Sequence, residues 1–233
     1  MLLDTLSLFE RDPALALVTL ATFSLALIFA ITVHEASHAL VANALGDRTA
    51  RNLGRITLNP KAHLDPVGTA LILFAGFGWG KPTPVNPAYL RPRGWPGMAL
   101  VSLAGPASNI LTAIVFAVPL RSGAVDVGFI EFSSLGDLNQ IAGYVLISMV
   151  FWNLLLAAFN LLPIAPLDGF KILLGILPPE FARSVARLEP YGPGILMVAI
   201  MLSFVMPGTS ILARFIGPVM NMLGYLVLGR DLL

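Results

Sequence analysis

The chain has 233 residues, 14 Lys+Arg against 13 Asp+Glu, no Cys, and 57% of its residues from the set AVILMFWYC. Its charged share of 12% is about half that of ordinary soluble domains, and its mean hydropathy is +0.84. That balance excludes intrinsic disorder, a coiled coil, a disulfide-stapled domain and a nucleic-acid binder; any metal site must draw on His, Asp or Glu, and the solvent is lipid.

The first apolar run, Ala14 to Val33, has no charge and suits one bilayer crossing. It does not read as a cleavable leader, because Asp4, Glu10, Arg11 and Asp12 precede it instead of a basic segment. Arg51 to Leu58, with Pro60 beyond, is weakly patterned as a short β-strand after that span. Val67 to Gly80 is too short to span and reads as a re-entrant or partly inserted segment. Pro96 to Leu120 and Ile141 to Leu162 are further spans. Gly194 to Leu228 is apolar but cut by Met206-Pro207-Gly208 and Arg214, which fits two more spans or a helical hairpin. The expectation is an all-α polytopic membrane protein with about five or six transmembrane helices, forming a single domain over residues 1–233.

Basic residues orient such a chain, since cytoplasmic loops carry the excess of Lys and Arg. Gly46–Asp65 holds Arg48, Arg51, Arg55 and Lys61, and Lys81–Trp95 holds Lys81, Arg91 and Arg93. Both flank the short apolar run, which places its two ends on one cytoplasmic side. Arg121–Gln140 has one Arg against Asp126, Glu131 and Asp137, and reads as the outer side. Lys171–Glu189, with Lys171, Arg183 and Arg187, is cytoplasmic again.

His34-Glu35-Ala36-Ser37-His38 is an HExxH motif. Residues i and i+4 of a helix share a face, so both imidazoles can bind one ion, and Glu35 beside them can take a proton from metal-bound water. With so few His and Glu in the chain, chance supplies the motif in about one such sequence per thousand. Two His and a Glu at the end of a membrane helix are also costly unless they do something. A catalytic zinc takes three protein ligands and one open position. On residues alone, His63, Asp65, Asp168 and Glu35 itself are the candidates for the third ligand. Asp168 follows the span ending at Leu162, in Asn160-Leu-Leu-Pro163-Ile-Ala-Pro166-Leu-Asp168-Gly169, and the charge count puts it at the same face as His34 and His38. A solvated loop aspartate fits that position equally well.

HExxH on an early membrane helix and NxxPxxPLDG on a later one resemble the site-2 protease family of intramembrane zinc metalloproteases, in its small form without PDZ or CBS domains. The likeness extends through Leu58–Gly68 (LNPKAHLDPVG), Gly78–Pro87 (GWGKPTPVNP) and Ala104–Asn109 (AGPASN). It implies a catalytic core over about residues 14–175, with C-terminal helices over about 194–229. It also implies one Zn2+ per chain held by His34, His38 and Asp168, with Glu35 as general base and Asn160 holding the substrate backbone or the oxyanion. His63 and Asn109 are possible accessory residues. His63 orders its loop through Asp65, touches substrate, or binds metal in a resting state; Asn109 packs against the catalytic helices by hydrogen bond or takes a catalytic part.

The activity so implied is hydrolysis of peptide bonds within or near transmembrane segments of membrane proteins. The partners are a transmembrane protein substrate and the bilayer, with no nucleic acid. The protein would be an integral, multi-pass component of the cell membrane with its active site toward the cytoplasm. A substrate helix must open before it is cut, and a strand edge near Arg51–Leu58 would be one place for the freed backbone to pair. Two other readings stand beside this one. A membrane metal transporter or sensor also explains ionisable groups in a membrane, but predicts them along a whole path. A catalytically silent relative acting as a membrane chaperone has no use for an intact HExxH.

Overall fold

Asp12 and Pro13 open the first long helix. The Asp12 carboxylate accepts the Leu15 N–H at 3.0 Å, and Pro13 sits where a missing N–H costs nothing. This helix, α1 (Pro13–Ala44), has 32 residues. At 1.5 Å per residue it is about 48 Å long, well beyond the roughly 30 Å of bilayer hydrocarbon. The computed structural model describes residues 8–75, 78–125, 138–205 and 211–229. After α1 come α2 (Thr49–Asn52), α3 (Pro66–Ala75), α4 (Trp95–Arg121) and α5 (Leu138–Asn160). Then follow α6 (Asp168–Ile176), α7 (Pro179–Ala186), α8 (Gly192–Val205) and α9 (Ile211–Leu228).

Four helical stretches are long and apolar enough to cross a membrane: α1, α4, α5 and Pro179–Ser203, which joins α7 to most of α8. Leu212–Leu228 is a shorter apolar helix. The expectation of about five or six spans is therefore corrected to four among the described residues. Composition alone overstated the count because an apolar run need not become one long helix. The C-terminal stretch, read as two spans, supplies one, over Pro179–Ser203, and the shorter apolar helix Leu212–Leu228. The break at Met206-Pro207-Gly208 lies outside the described residues, as do Asp126, Glu131 and Asp137 of the outer loop.

The expected strand at Arg51–Leu58 is also corrected: no strand is present among the described residues. Local bonds take this backbone instead. Asp47 accepts from the Thr49 backbone N–H and hydroxyl, which starts α2. The Arg55 N–H bonds back to Ala50, and Gly54 makes the turn at φ +69°. The Arg55 side chain is buried and donates to the Lys81 carbonyl, which pins the segment where a strand would have had to extend.

The ends of the short apolar segment do lie side by side. Leu64 and Gly80 form an isolated antiparallel bridge, and the Lys81 N–H donates to the His63 carbonyl at 2.7 Å. Asp65 caps α3 by accepting from Val67 and Gly68. The chain thus leaves and returns at one place.

Helix α4 is the hub, packing on α1, α5 and α6, while α9 closes against α4 and α5. Its buried face is rich in small residues, including Gly97, Gly105, Ala113 and Ala117. Small side chains let membrane helices approach closely, which matters where lipid supplies no hydrophobic drive between them. One half of α4 packs on apolar side chains such as Val150, Leu154 and Met220. The other half faces α1 at His34 and His38.

Candidate metal centre

His34 and His38 lie one turn apart on α1 and are both buried. Asp168 is the first residue of α6, just past the end of α5. The Asp168 Oδ2 is 3.0 Å from His34 Nε2 and 3.2 Å from His38 Nε2. These three side chains are a group able to hold one metal ion, with their ligand atoms all within 4.8 Å of one another. Ligands about 2.0–2.1 Å from zinc in a tetrahedron stand about 3.3 Å apart, close to the spacing found.

The donor set also has the right protonation. The His38 Nδ1 donates to the Val101 carbonyl at 2.7 Å, and a carbonyl can only accept. The His34 Nδ1 donates to Asn109 Oδ1 at 2.6 Å. Both imidazoles therefore turn an Nε2 lone pair toward Asp168, as metal-bound histidines do when their other nitrogen is held by a partner. The residues fit a zinc ion.

Glu35 lines the same cavity of about 250 Å³, together with Asn160, Thr83 and Lys171. The Thr83 N–H donates to Glu35 Oε2 at 2.8 Å, and the Thr83 hydroxyl donates to the Glu35 carbonyl at 3.0 Å. The segment returning from α3 thus braces the acid beside the imidazoles. Asn160, at the end of α5, donates one Nδ2 hydrogen to the Leu156 carbonyl at 3.0 Å. HExxH, Asp168 and Asn160 meet although more than 120 residues separate the motifs in sequence.

The accessory candidates fall in different places. Asn109 is fully buried on α4 and bonds His34 directly. His63 is also fully buried, but its Nε2 donates to the Thr57 carbonyl at 2.8 Å, and it lies outside the metal-ligating group. It orders the loop through Thr57, while Asp65 caps α3.

Several contributors escaped the sequence reading. Gly105 lies against both imidazoles: a Cβ there would stand 2.5 Å from His34 Cε1 and Nε2 and 2.6 Å from His38 Cε1. Only a bare Cα lets α4 lie against both rings. The spacing of Gly105 and Asn109 by four was a usable signal, since it sets both on one face of the helix. Asn153, whose Oδ1 accepts from Asn109, gave only the general signal that an amide in an apolar helix needs a partner. Thr83 reaches the Glu35 carboxylate through its backbone N–H, which no sequence motif reveals.

The comparisons with known proteins agree with this geometry. The chain is 41% identical over 182 residues to a protein of Bacillus subtilis (strain 168) named as zinc metalloprotease YwhC, covering 78% of each chain. It is 29% identical over 182 residues to the Mycolicibacterium smegmatis protein named as zinc metalloprotease Rip2, covering 75% of this chain and 64% of that one. The Rip2 of Mycobacterium tuberculosis (strain H37Rv) is 26% identical over 174 residues, covering 73% and 63%. No family profile and no solved structure matches significantly.

Proposed function

The chain belongs to the site-2 protease-like family of zinc metalloproteases, and from that premise we propose that it holds one Zn2+ through His34, His38 and Asp168 and cuts transmembrane protein substrates with Glu35 as general base. That it is a membrane-embedded zinc protease follows from the relatives and the apolar helices around the His-His-Asp cluster. The proposal concerns which residues do the work and on which side. The observation that carries it is the convergence of two Nε2 lone pairs on Asp168 with Glu35 in the same cavity.

When bound, zinc would acidify a water molecule and polarise the scissile carbonyl. Thr83 fixes one carboxylate oxygen of Glu35, leaving Oε1 to receive the water's proton and hand it to the leaving amine. Asn160 spends one amide hydrogen on Leu156 and keeps the second for the substrate carbonyl or the developing oxyanion. Asn109 and His63 act on the protein rather than the substrate. Burial of the site among helices limits water to what the cavity admits, which strengthens each of these interactions.

We also read the site as cytoplasmic and residues 1–233 as one membrane-embedded domain with its catalytic core over about 14–175. Three basic segments gather near the cluster: Lys81–Trp95 through Thr83 to Glu35, Gly46–Asp65 through the Arg55 side chain to the Lys81 carbonyl, and Lys171–Glu189 through Lys171 in the cavity. The segment Val67–Gly80 enters and leaves at that end, which supports re-entrance. Helices from both parts share one apolar cluster, with Met220 of α9 against α4 and α5. A transporter or sensor would need metal-ligating groups along a path, but among the described residues the one such group sits at one end.

The test pairs zinc content with cleavage of a transmembrane peptide on one preparation. Wild-type protein should hold about one zinc per chain, lose activity to a chelator and regain it with zinc. Glu35→Gln should keep its zinc and lose about 10²–10⁴ in turnover. Wild-type turnover in Glu35→Gln would refute this mechanism; zinc without any cleavage by the wild type would favour a silent or transporting protein. For sidedness, Asn52→Cys should label from the cytoplasm and Ala124→Cys from the opposite face, both positions being exposed. Labelling of both from one side would overturn the orientation.

A further inference from the structure

His38 and His34 are oriented by different kinds of partner. The Val101 carbonyl that receives the His38 Nδ1–H is backbone and has only one polarity. The partner of His34 is the amide of Asn109, which has two ends of opposite polarity. If its nitrogen faced His34, the imidazole would have to carry its proton on Nε2, and the lone pair the metal needs would be gone. Something must therefore decide which end faces the ring.

Two acceptors do so. Asn109 Nδ2 donates to the Ala30 carbonyl at 3.0 Å and to Asn153 Oδ1 at 2.9 Å. Asn153 is itself fixed, because its Nδ2 donates at 2.8 Å to the Met149 carbonyl one turn back on α5. Asn109 and Asn153 are both fully buried, so no water stands in for a lost partner. A flipped Asn109 would set its oxygen against two acceptors and its nitrogen against a third group required elsewhere, an arrangement costly in a dry interior. The polarity runs one way through three helices: Met149 carbonyl, Asn153, Asn109, His34.

We propose that Asn109 and Asn153 are positioning residues that set the His34 tautomer, Asn153 fixing the orientation of the Asn109 amide and Asn109 holding the His34 proton on Nδ1, so that Nε2 is free for the metal. The proposal deepens the zinc reading above and rests on it. Neither amide is placed to touch substrate. Each acts through His34, so its removal changes metal affinity first, in the range of about 10–100-fold known for groups behind a metal ligand.

A double-mutant cycle separates this role from mere helix packing. The probe is zinc alone, titrated into purified metal-free protein against a chromophoric chelator. Asn109→Leu should weaken binding about 10–100-fold, and Asn153→Leu by about tenfold, the low end of that range. Asn109→Asp can only accept from His34, so the His34 tautomer no longer depends on Asn153, although the second carboxylate oxygen now meets the Ala30 carbonyl and lowers the stability of the fold. In that background Asn153→Leu should change zinc affinity less than twofold. A packing role for Asn153 would weaken binding equally in both backgrounds, and that result would overturn the proposal. If Asn153→Leu does not yield folded protein, Asn153→Ser, whose hydroxyl can bond back to Met149, takes its place in the same cycle.

A second readout needs no turnover. Only three histidines are present, so ¹⁵N-histidine-labelled, zinc-loaded protein should show a slowly exchanging Nδ1–H for His34. This signal should weaken in Asn153→Leu and vanish in Asn109→Leu. Leu154→Ala, the neighbouring apolar position on α5, should leave both the signal and the affinity in place. Loss of either in Leu154→Ala would assign the effect to helix packing. Wild-type protein that binds no zinc would fail the underlying reading; tight wild-type binding matched by Asn153→Leu and Asn109→Leu would fail this inference alone.

Discussion

The two halves of α4 do different work with the same backbone. From Gly97 to Asn109 its buried side carries Ser102, Gly105 and Asn109, and faces imidazoles, amides and carbonyls. From Ala113 to Leu120 it carries only apolar groups against Val150, Leu154 and Met220. In lipid the second half gains little from leaving solvent, because the solvent is already apolar, so its contribution is contact and fit. The first half buries polar atoms that have no water to fall back on, so each must find a partner. Fit tolerates exchange of one apolar shape for another, whereas hydrogen-bond polarity does not. The metal end should therefore answer to small chemical changes, and the apolar end only to changes of volume.

The largest effect expected from a near-isosteric change is at Asp168. Asp168→Asn keeps the size of the side chain but offers the two imidazoles a weaker ligand. Zinc affinity should fall by more than the roughly 10–100-fold seen when only a supporting group is lost, and cleavage should fall with it. Equilibrium dialysis of zinc, run beside the peptide assay, measures both. Full retention of zinc would remove Asp168 as a ligand and break the comparison at its strongest point.

Gly105 and Leu154 sharpen the contrast, one from each half of the hub. Gly105→Ala adds a single carbon at 2.5 Å from the His34 ring and should lower zinc affinity by about 10–100-fold with little change in thermal stability of the bundle. Leu154→Ala removes a fully buried side chain from the apolar cluster. It should cost stability toward the low end of about 2–5 kcal/mol, since lipid rather than water is the alternative, and should leave zinc affinity unchanged. Calorimetry and chelator competition on both variants give the crossed pattern; parallel losses in the two would show the halves to be one coupled unit.

The same division explains what the sequence could and could not tell. His34, Glu35 and His38 were legible because metal chemistry demands rare residue types, the two histidines at a spacing one helix sets by itself; Asp168 could not be told from a solvated loop aspartate on residues alone and came only with the family resemblance. The long apolar runs of α1, α4 and α5 were legible because lipid demands them over a whole span. The pairing of Asn153 with Asn109 was not, because it depends on how two helices rotate against each other, which neither helix encodes alone. Nor was the fate of Arg51–Leu58. Its Ile56 and Thr57 suit a strand, but a strand needs a partner, and the backbone there found closer acceptors at Ala50 and, through the Arg55 side chain, at Lys81. Gly105 is a helix-packing glycine, but what it packs against is a pair of imidazoles.

The smallest effect expected lies in the loops that hold the metal end together. Asp47 is buried between the end of α1 and the strap that carries Thr83. Burial raises its carboxyl, but hydrogen bonds from the Thr49 hydroxyl and the Asn86 and Thr49 backbone N–H groups outweigh that, and the group lies below its ordinary value of 3.8. A group lowered in the folded state stabilises the fold above its unfolded value, and that contribution fades as pH drops through the folded one. The window is therefore below about pH 4. Asp47→Asn can still accept from Thr49, but its Nδ2 meets the Asn86 N–H, donor against donor. At neutral pH the variant should show faster amide exchange in the strap over residues 81–90 than the wild type, with amides of α9 unchanged. As pH falls below about 4 the wild-type strap loses the ionised acceptor, and the two proteins should converge once intrinsic exchange rates are corrected for pH. A difference that persists undiminished at low pH would mean that Asp47 holds the strap by shape and not by charge, and would move this loop to the apolar side of the comparison.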